Sequence, residues 1–136
     1  MQAADRPRNV NPGELAPARG YSHGTVAGDT VWVGGQVGSD ATGRIVEPED
    51  IVAQYGRAIQ NVAVALRAAG FAPEDTVKLT YYVTDIKAYR ENRSALGAAY
   101  RKFFRTDYPA STLIEVKSLV DPDALVEIDA VAVRRP

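Results

Sequence analysis

Cysteine is absent from this 136-residue chain, and histidine occurs once, at His23. Without a thiol there is no disulfide, no cysteine nucleophile and no cysteine-ligated zinc or iron–sulfur centre. A single imidazole excludes a zinc site built on two histidines, so no metal site is expected. It also forces any Ser-His-Asp arrangement through His23. Charge of one sign is missing too: 16 basic residues stand against 17 acidic ones, a net charge of −1. A nucleic-acid binder normally shows a strong basic excess, so no nucleic-acid partner is expected. No apolar run reaches the roughly 18 residues of a membrane span. Residues 1–20 carry proline and charge without an apolar stretch, unlike a secretory signal, which makes the cytoplasm the expected location.

What is present suits one domain, since domains usually run to about 100–150 residues and bury about two-thirds of their unfolded surface at this size. Residues 1–20 hold three prolines and few apolar side chains and read as a flexible N-terminal arm; residues 21–136 form the domain. Two short strands flank a Gly28-Asp29 turn, with Val31, Val33 and Val37 on one face and Trp32 and Gln36 on the other. A further short strand is possible over residues 44–47. Pro48, Glu49 and Asp50 open a first helix carrying Ile51, Tyr55, Ala58, Val62 and Leu66 at helical spacing, and Gly70 ends it. Residues 76–84 follow as a strand with Val77, Leu79, Tyr81 and Val83 on one face. A second helix covers residues 88–104, with Tyr89, Leu96, Tyr100 and Phe103 as its seam. Residues 111–120 and 124–133 close the chain as strands.

The order β-β-α-β-α-β-β defines an α+β fold, a mixed sheet with two helices on one face. Yet the last strand is apolar on both sides: Val126, Ile128 and Ala130 on one, Leu125, Val131 and Val133 on the other. Trp32 likewise opposes Val31 and Val33. Soluble monomers seldom expose such a second face, so a homo-oligomer is expected.

Glu127 and Asp129 share one face of that strand among apolar neighbours. Partial desolvation raises a carboxylate's pKa and suits a general base that positions water; alternatively, both groups are satisfied by amides or arginines at a subunit contact. His23 is the only side chain whose unperturbed pKa lies near neutrality, although a lone strand histidine also serves packing. Gly34 and Gly35, next to Gln36, mark either a bulge with tight packing or a close approach of backbone to a ligand. No phosphate-loop motif occurs. Arg90, Arg93 and Arg101 form an anion-binding stripe or, with Glu91 beside them, a solvated helix face. Ser111 and Thr112 could hold polar ligand groups.

Four stretches together resemble the RidA-like enamine/imine deaminases, also called endoribonuclease L-PSP-like. They are Gly20-Tyr21-Ser22; Val33-Gly34-Gly35-Gln36-Val37; Gly70-Phe71 through Val77-Lys78-Leu79-Thr80 to Val83-Thr84-Asp85; and Pro109-Ala110 through Ile114-Glu115-Val116 to the run 126–133. The resemblance implies a chorismate-mutase-like subunit assembled into a homotrimer, with a small-molecule substrate in each inter-subunit cleft. It also implies hydrolysis of reactive enamines and imines to keto acids and ammonia without a cofactor. Tyr21 would line the cleft, Gly35 would offer backbone groups and Glu127 would hold the attacking water. Ser22, His23, Gln36, Ser111 and Thr112 complete the expected substrate-binding set. One departure stands out. Where the deaminating members have Pro-Ala-Arg-Ser, this chain has Pro109-Ala110-Ser111-Thr112, so Ser111 replaces the arginine that grips a substrate carboxylate. The family's helix-borne asparagine falls at Gly97.

Three readings follow. The leading one is a C=N hydrolase acting on a substrate other than the usual 2-aminoacrylate type. The second is a non-catalytic protein that binds a small metabolite in the same clefts. The third, RNA cleavage, has little support from one histidine and a neutral charge balance.

Overall fold

The computed structural model describes residues 6–136. Strand β1 (Arg8–Val10) is followed by β2 (Gly24–Ala27), β3 (Thr30–Val37), helix α1 (Ile51–Ala68), a 3-10 turn at Pro73–Asp75, and β4 (Thr76–Val83). Helices α2 (Ile86–Glu91) and α3 (Arg93–Phe104) precede β5 (Ala110–Glu115) and β6 (Val126–Val133). One six-stranded sheet runs in the order β1-β2-β3-β6-β4-β5, antiparallel except for the β4–β5 pair. This is the expected α+β architecture, with the long helices on one face.

Helix α1 forms where its signals stand. The Asp50 carboxylate accepts from the amides of Val52 and Ala53, satisfying two of the donors a helix start leaves free. Gly70, at φ +86°, ends it in a Schellman arrangement: Phe71 N–H donates to Leu66 O at 2.9 Å and Gly70 N–H to Arg67 O at 3.0 Å. Between these ends Ala58, Ile59, Val62 and Leu66 are wholly buried against the sheet. Each large aliphatic among them contributes about 1.5–3 kcal/mol.

Several expectations are corrected. The part of the supposed flexible arm within the described residues is tied down: β1 pairs with β2, and Leu15 enters the core. Residues 1–5 lie outside the described residues. The segment at 44–47 makes only one bridge, Ser39 with Ile45. The second helix begins at Ile86 and breaks at Asn92, whose side-chain amide donates to Ala88 O at 2.7 Å and occupies the carbonyl that the helix ladder would use. Phe104, wholly buried, is the core residue at the end of α3, while Phe103 packs at its margin. Val77 falls in a register shift between Thr76 and Lys78 and is exposed, leaving Thr76 inside. The last two strands are shorter than expected, and Leu125 precedes β6, its amide bonded to Gln54 Oε1 at 2.7 Å.

The helix-side face of the sheet gathers Val31, Val33, Leu79, Tyr81, Val83, Val126, Ile128, Ala130 and Ala132, all buried. The opposite face carries Trp32, Thr80, Tyr82, Glu127, Asp129, Val131 and Val133. No helix among the described residues covers it, and Trp32 remains 49% exposed there.

Candidate functional site

The irregularity at Gly34-Gly35 is a β-bulge. Val33 pairs with Ala130 and Gln36 with Ile128, so β3 advances three residues while β6 advances two. One extra residue reverses the facing of everything beyond it. Gln36 therefore turns inward and is buried, whereas Val37 joins the open face opposite Glu127; both differ from the expected alternation.

The bulge makes room for a carboxylate. A Cβ placed on Gly35 would lie 2.6 Å from both Cδ and Oε2 of Glu127. No side chain fits there, so Glu127 folds down onto bare backbone. Burial raises its pKa above the usual carboxylate range, and the charge of Asp129 raises it further. Among the described residues no side chain or amide donates a hydrogen bond to the Glu127 carboxyl, which leaves its oxygens free for water or substrate. Across the β4–β6 pair Tyr82 stands opposite Glu127, and its hydroxyl donates to Asp129 Oδ2 at 3.0 Å.

His23 lies inside. Its Nε2–H donates to Ala16 O at 2.6 Å and its Nδ1 accepts from Gln36 Nε2 at 3.0 Å; the same Gln36 amide donates to Gly34 O at 3.1 Å. A carbonyl can only accept and an amide nitrogen can only donate, so these partners define a neutral imidazole with both nitrogens engaged. His23 and Gln36 thus form a buried brace between the N-terminal segment and the bulge. Tyr21, 56% exposed, sets its ring edge-on to His23 at 5.4 Å. Ser22 Oγ accepts from Asn11 Nδ2 at 3.2 Å.

The β4–β5 register separates Ser111 from Thr112. Ser111 stands opposite Leu79, a helix-side position, and Thr112 opposite Thr80 on the open face. There Lys78 Nζ donates to Thr112 Oγ1 at 2.6 Å, placing an ammonium on the same face as Glu127. Gly97 lies in α3, where a Cβ would be 3.1 Å from Arg101 Nη1. Arg90, Arg93 and Arg101 are exposed on the helical layer, away from Glu127, and the break at Asn92 divides them.

Glu127, Gly35, Thr112 and Tyr21 are therefore surface-accessible, while His23 and Gln36 support from within. The sequence reading missed Tyr82 and Lys78. Strand alternation places both on the open face, but their neighbours depend on pairing that alternation does not reveal. A concavity of about 910 Å³ lies elsewhere, between Glu47, Asp50, Asp85, Asn92 and Leu125. No helix among the described residues is long and apolar enough to cross a membrane.

Fold and site together define a small α+β protein that presents a desolvated carboxylate on an uncovered sheet face. The family model described as Endoribonuclease L-PSP matches residues 12–134. A 2-iminobutanoate/2-iminopropanoate deaminase of Salmonella typhimurium is 34% identical over 128 residues, 91% of this chain and 92% of that protein. The crystal structure of the E. coli YjgF gene product aligns with TM-score 0.81 and 30% identity, covering 94% of this chain and 99% of that one. That of E. coli TdcF with bound serine aligns at TM-score 0.81 and 28% identity, with the same coverage. The chain belongs to this RidA-like, or L-PSP, family.

Proposed function

We propose that this protein hydrolyses C=N bonds of small imines and enamines, with Glu127 as the residue that handles water. The observation that carries the reading is the Glu127 carboxyl seated on the Gly35 bulge, partly desolvated and, among the described residues, without a hydrogen-bonding partner of its own. Its raised pKa makes it a better proton acceptor from water than an ordinary carboxylate, the property a general base needs.

The chemistry balances on this one carboxylate. Glu127 takes a proton from water as the oxygen adds to the imine carbon and passes that same proton to the nitrogen, giving a neutral carbinolamine. Glu127 then takes the hydroxyl proton and delivers it to the amine nitrogen as the C–N bond breaks, so that ammonia leaves and the carbonyl forms. The net change is imine plus water to carbonyl plus ammonia, with Glu127 restored. The Salmonella deaminase, named for 2-imino acids, supports this reaction class.

Two positions bear on the substrate: Lys78 holds its ammonium on the open face, whereas Ser111, where the deaminating members carry arginine, stands on the helix-side face of its own chain. A serine donates one neutral hydrogen bond and cannot neutralise a carboxylate; hydrogen bonds to charged groups contribute about 1.5–3 kcal/mol against roughly 1 kcal/mol for neutral ones. The proposed substrate is therefore an imine other than the 2-aminoacrylate type, uncharged or held in another orientation. The proposed state is a cytoplasmic homotrimer whose subunits close the cleft over Glu127; the uncovered face bearing Trp32 and Val133 supports self-association. A panel of imines generated in situ by amino-acid oxidases, with carbonyl release followed at each substrate, tests the activity. Turnover above the spontaneous rate on at least one of them is the expected result. Ligand-induced thermal shifts with no turnover would instead establish a metabolite-binding protein, and a monomer by light scattering would remove the assembly.

A further inference from the structure

Tyr82 and Asp129 remain unused by this chemistry. They meet on the open face beside Glu127: Tyr82 stands directly across the β4–β6 ladder from it, and Asp129 follows it by two residues on β6. The phenol donates to Asp129 Oδ2 at 3.0 Å. We infer that Tyr82 and Asp129 are a positioning pair for the reaction proposed above: the tyrosine hydroxyl fixes the aspartate, and the fixed charge tunes the proton exchange of Glu127.

The surroundings leave few competitors. Strand β3, on the other side of β6, holds no titratable side chain in Thr30–Val37. On β4 the remaining charged group of this face is Lys78, whose ammonium is bonded to Thr112 rather than to either carboxylate. Asp129 accordingly acts on Glu127 without a neutralising cation between them. A carboxylate two residues away along one face disfavours ionisation of Glu127, and the bond from Tyr82 keeps that charge from swinging into solvent. Burial of Glu127 and the neighbouring Asp129 charge both push its pKa upward, in accord with this geometry.

The test compares wild type, Tyr82→Phe, Asp129→Asn and the double variant; both substitutions keep side-chain volume, and thermal melting verifies folding. Two readouts are taken: the acid limb of kcat/KM on a turned-over imine, and carbon-13 NMR titration of the Glu127 carboxyl, identified by its loss in Glu127→Gln. In Asp129→Asn both midpoints move to lower pH. One unit below the wild-type midpoint this variant keeps roughly two- to fivefold more of its plateau rate. Tyr82→Phe moves them less, and the double variant moves no further than Asp129→Asn. An unmoved midpoint in either single variant, or additive shifts in the double, would overturn the pairing. This inference rests on the hydrolase reading, yet the two fail separately: if no imine is turned over, the NMR titration alone decides the coupling.

Discussion

The carboxyl of Glu127 occupies the space that a side chain at Gly35 would fill, at 2.6 Å from a Cβ built there. The bulge and the carboxylate are thus one feature. A strand with ordinary residues at this point would push Glu127 off its seat and back into water.

Gly35→Ala is expected to lower kcat/KM by tenfold or more while changing stability modestly. The residue has no positive φ, so the added methyl acts by collision with Glu127 and not by backbone strain. Gly34→Ala meets backbone, Ser22 O at 3.0 Å, and should act mainly on stability. Parallel kinetics and thermal melts of the two variants check the division.

His23→Ala should destabilise the fold by about 2–4 kcal/mol, because it opens a cavity and strips partners from Gln36 and the Ala16 carbonyl. The rate per folded molecule should stay within a few-fold of wild type, since the ring lies inside. Urea denaturation together with kinetics normalised to folded protein distinguishes this brace from a catalytic imidazole.

Glu127 also links pH to stability. Its folded-state pKa is raised, so the folded protein holds that proton more tightly than the unfolded chain. The associated stability is fully present below the ordinary carboxylate range and is lost as pH rises through the raised value. Glu127→Gln removes this dependence. Its melting temperature relative to wild type should therefore increase from acid toward neutral pH, and a difference that is flat across that range would refute the linkage.

Much of this was legible in the chain. The alternation of residues 126–133 separates core side chains from Glu127 and Asp129, and β6 obeys it throughout. Gly34-Gly35 signalled the bulge, but its consequence for Gln36 did not follow, because a single extra residue reverses the facing of those after it. The N-terminal segment escaped because its buried residues, Val10 and Leu15, show no periodicity. Its strand exists only against β2. Asn92 interrupts a helical pattern through a side-chain bond that periodicity does not register. Tyr82 could be placed on the open face, whereas its meeting with Asp129 depends on the β4–β6 register.

The most direct test of the central claim is the hydrolysis rate of the best imine substrate by wild type and by Glu127→Gln at equal oligomeric state. Loss of the proton-accepting carboxylate should lower kcat by about 100-fold or more with KM little changed. A Glu127→Gln protein that hydrolyses the imine at the wild-type rate would contradict the account.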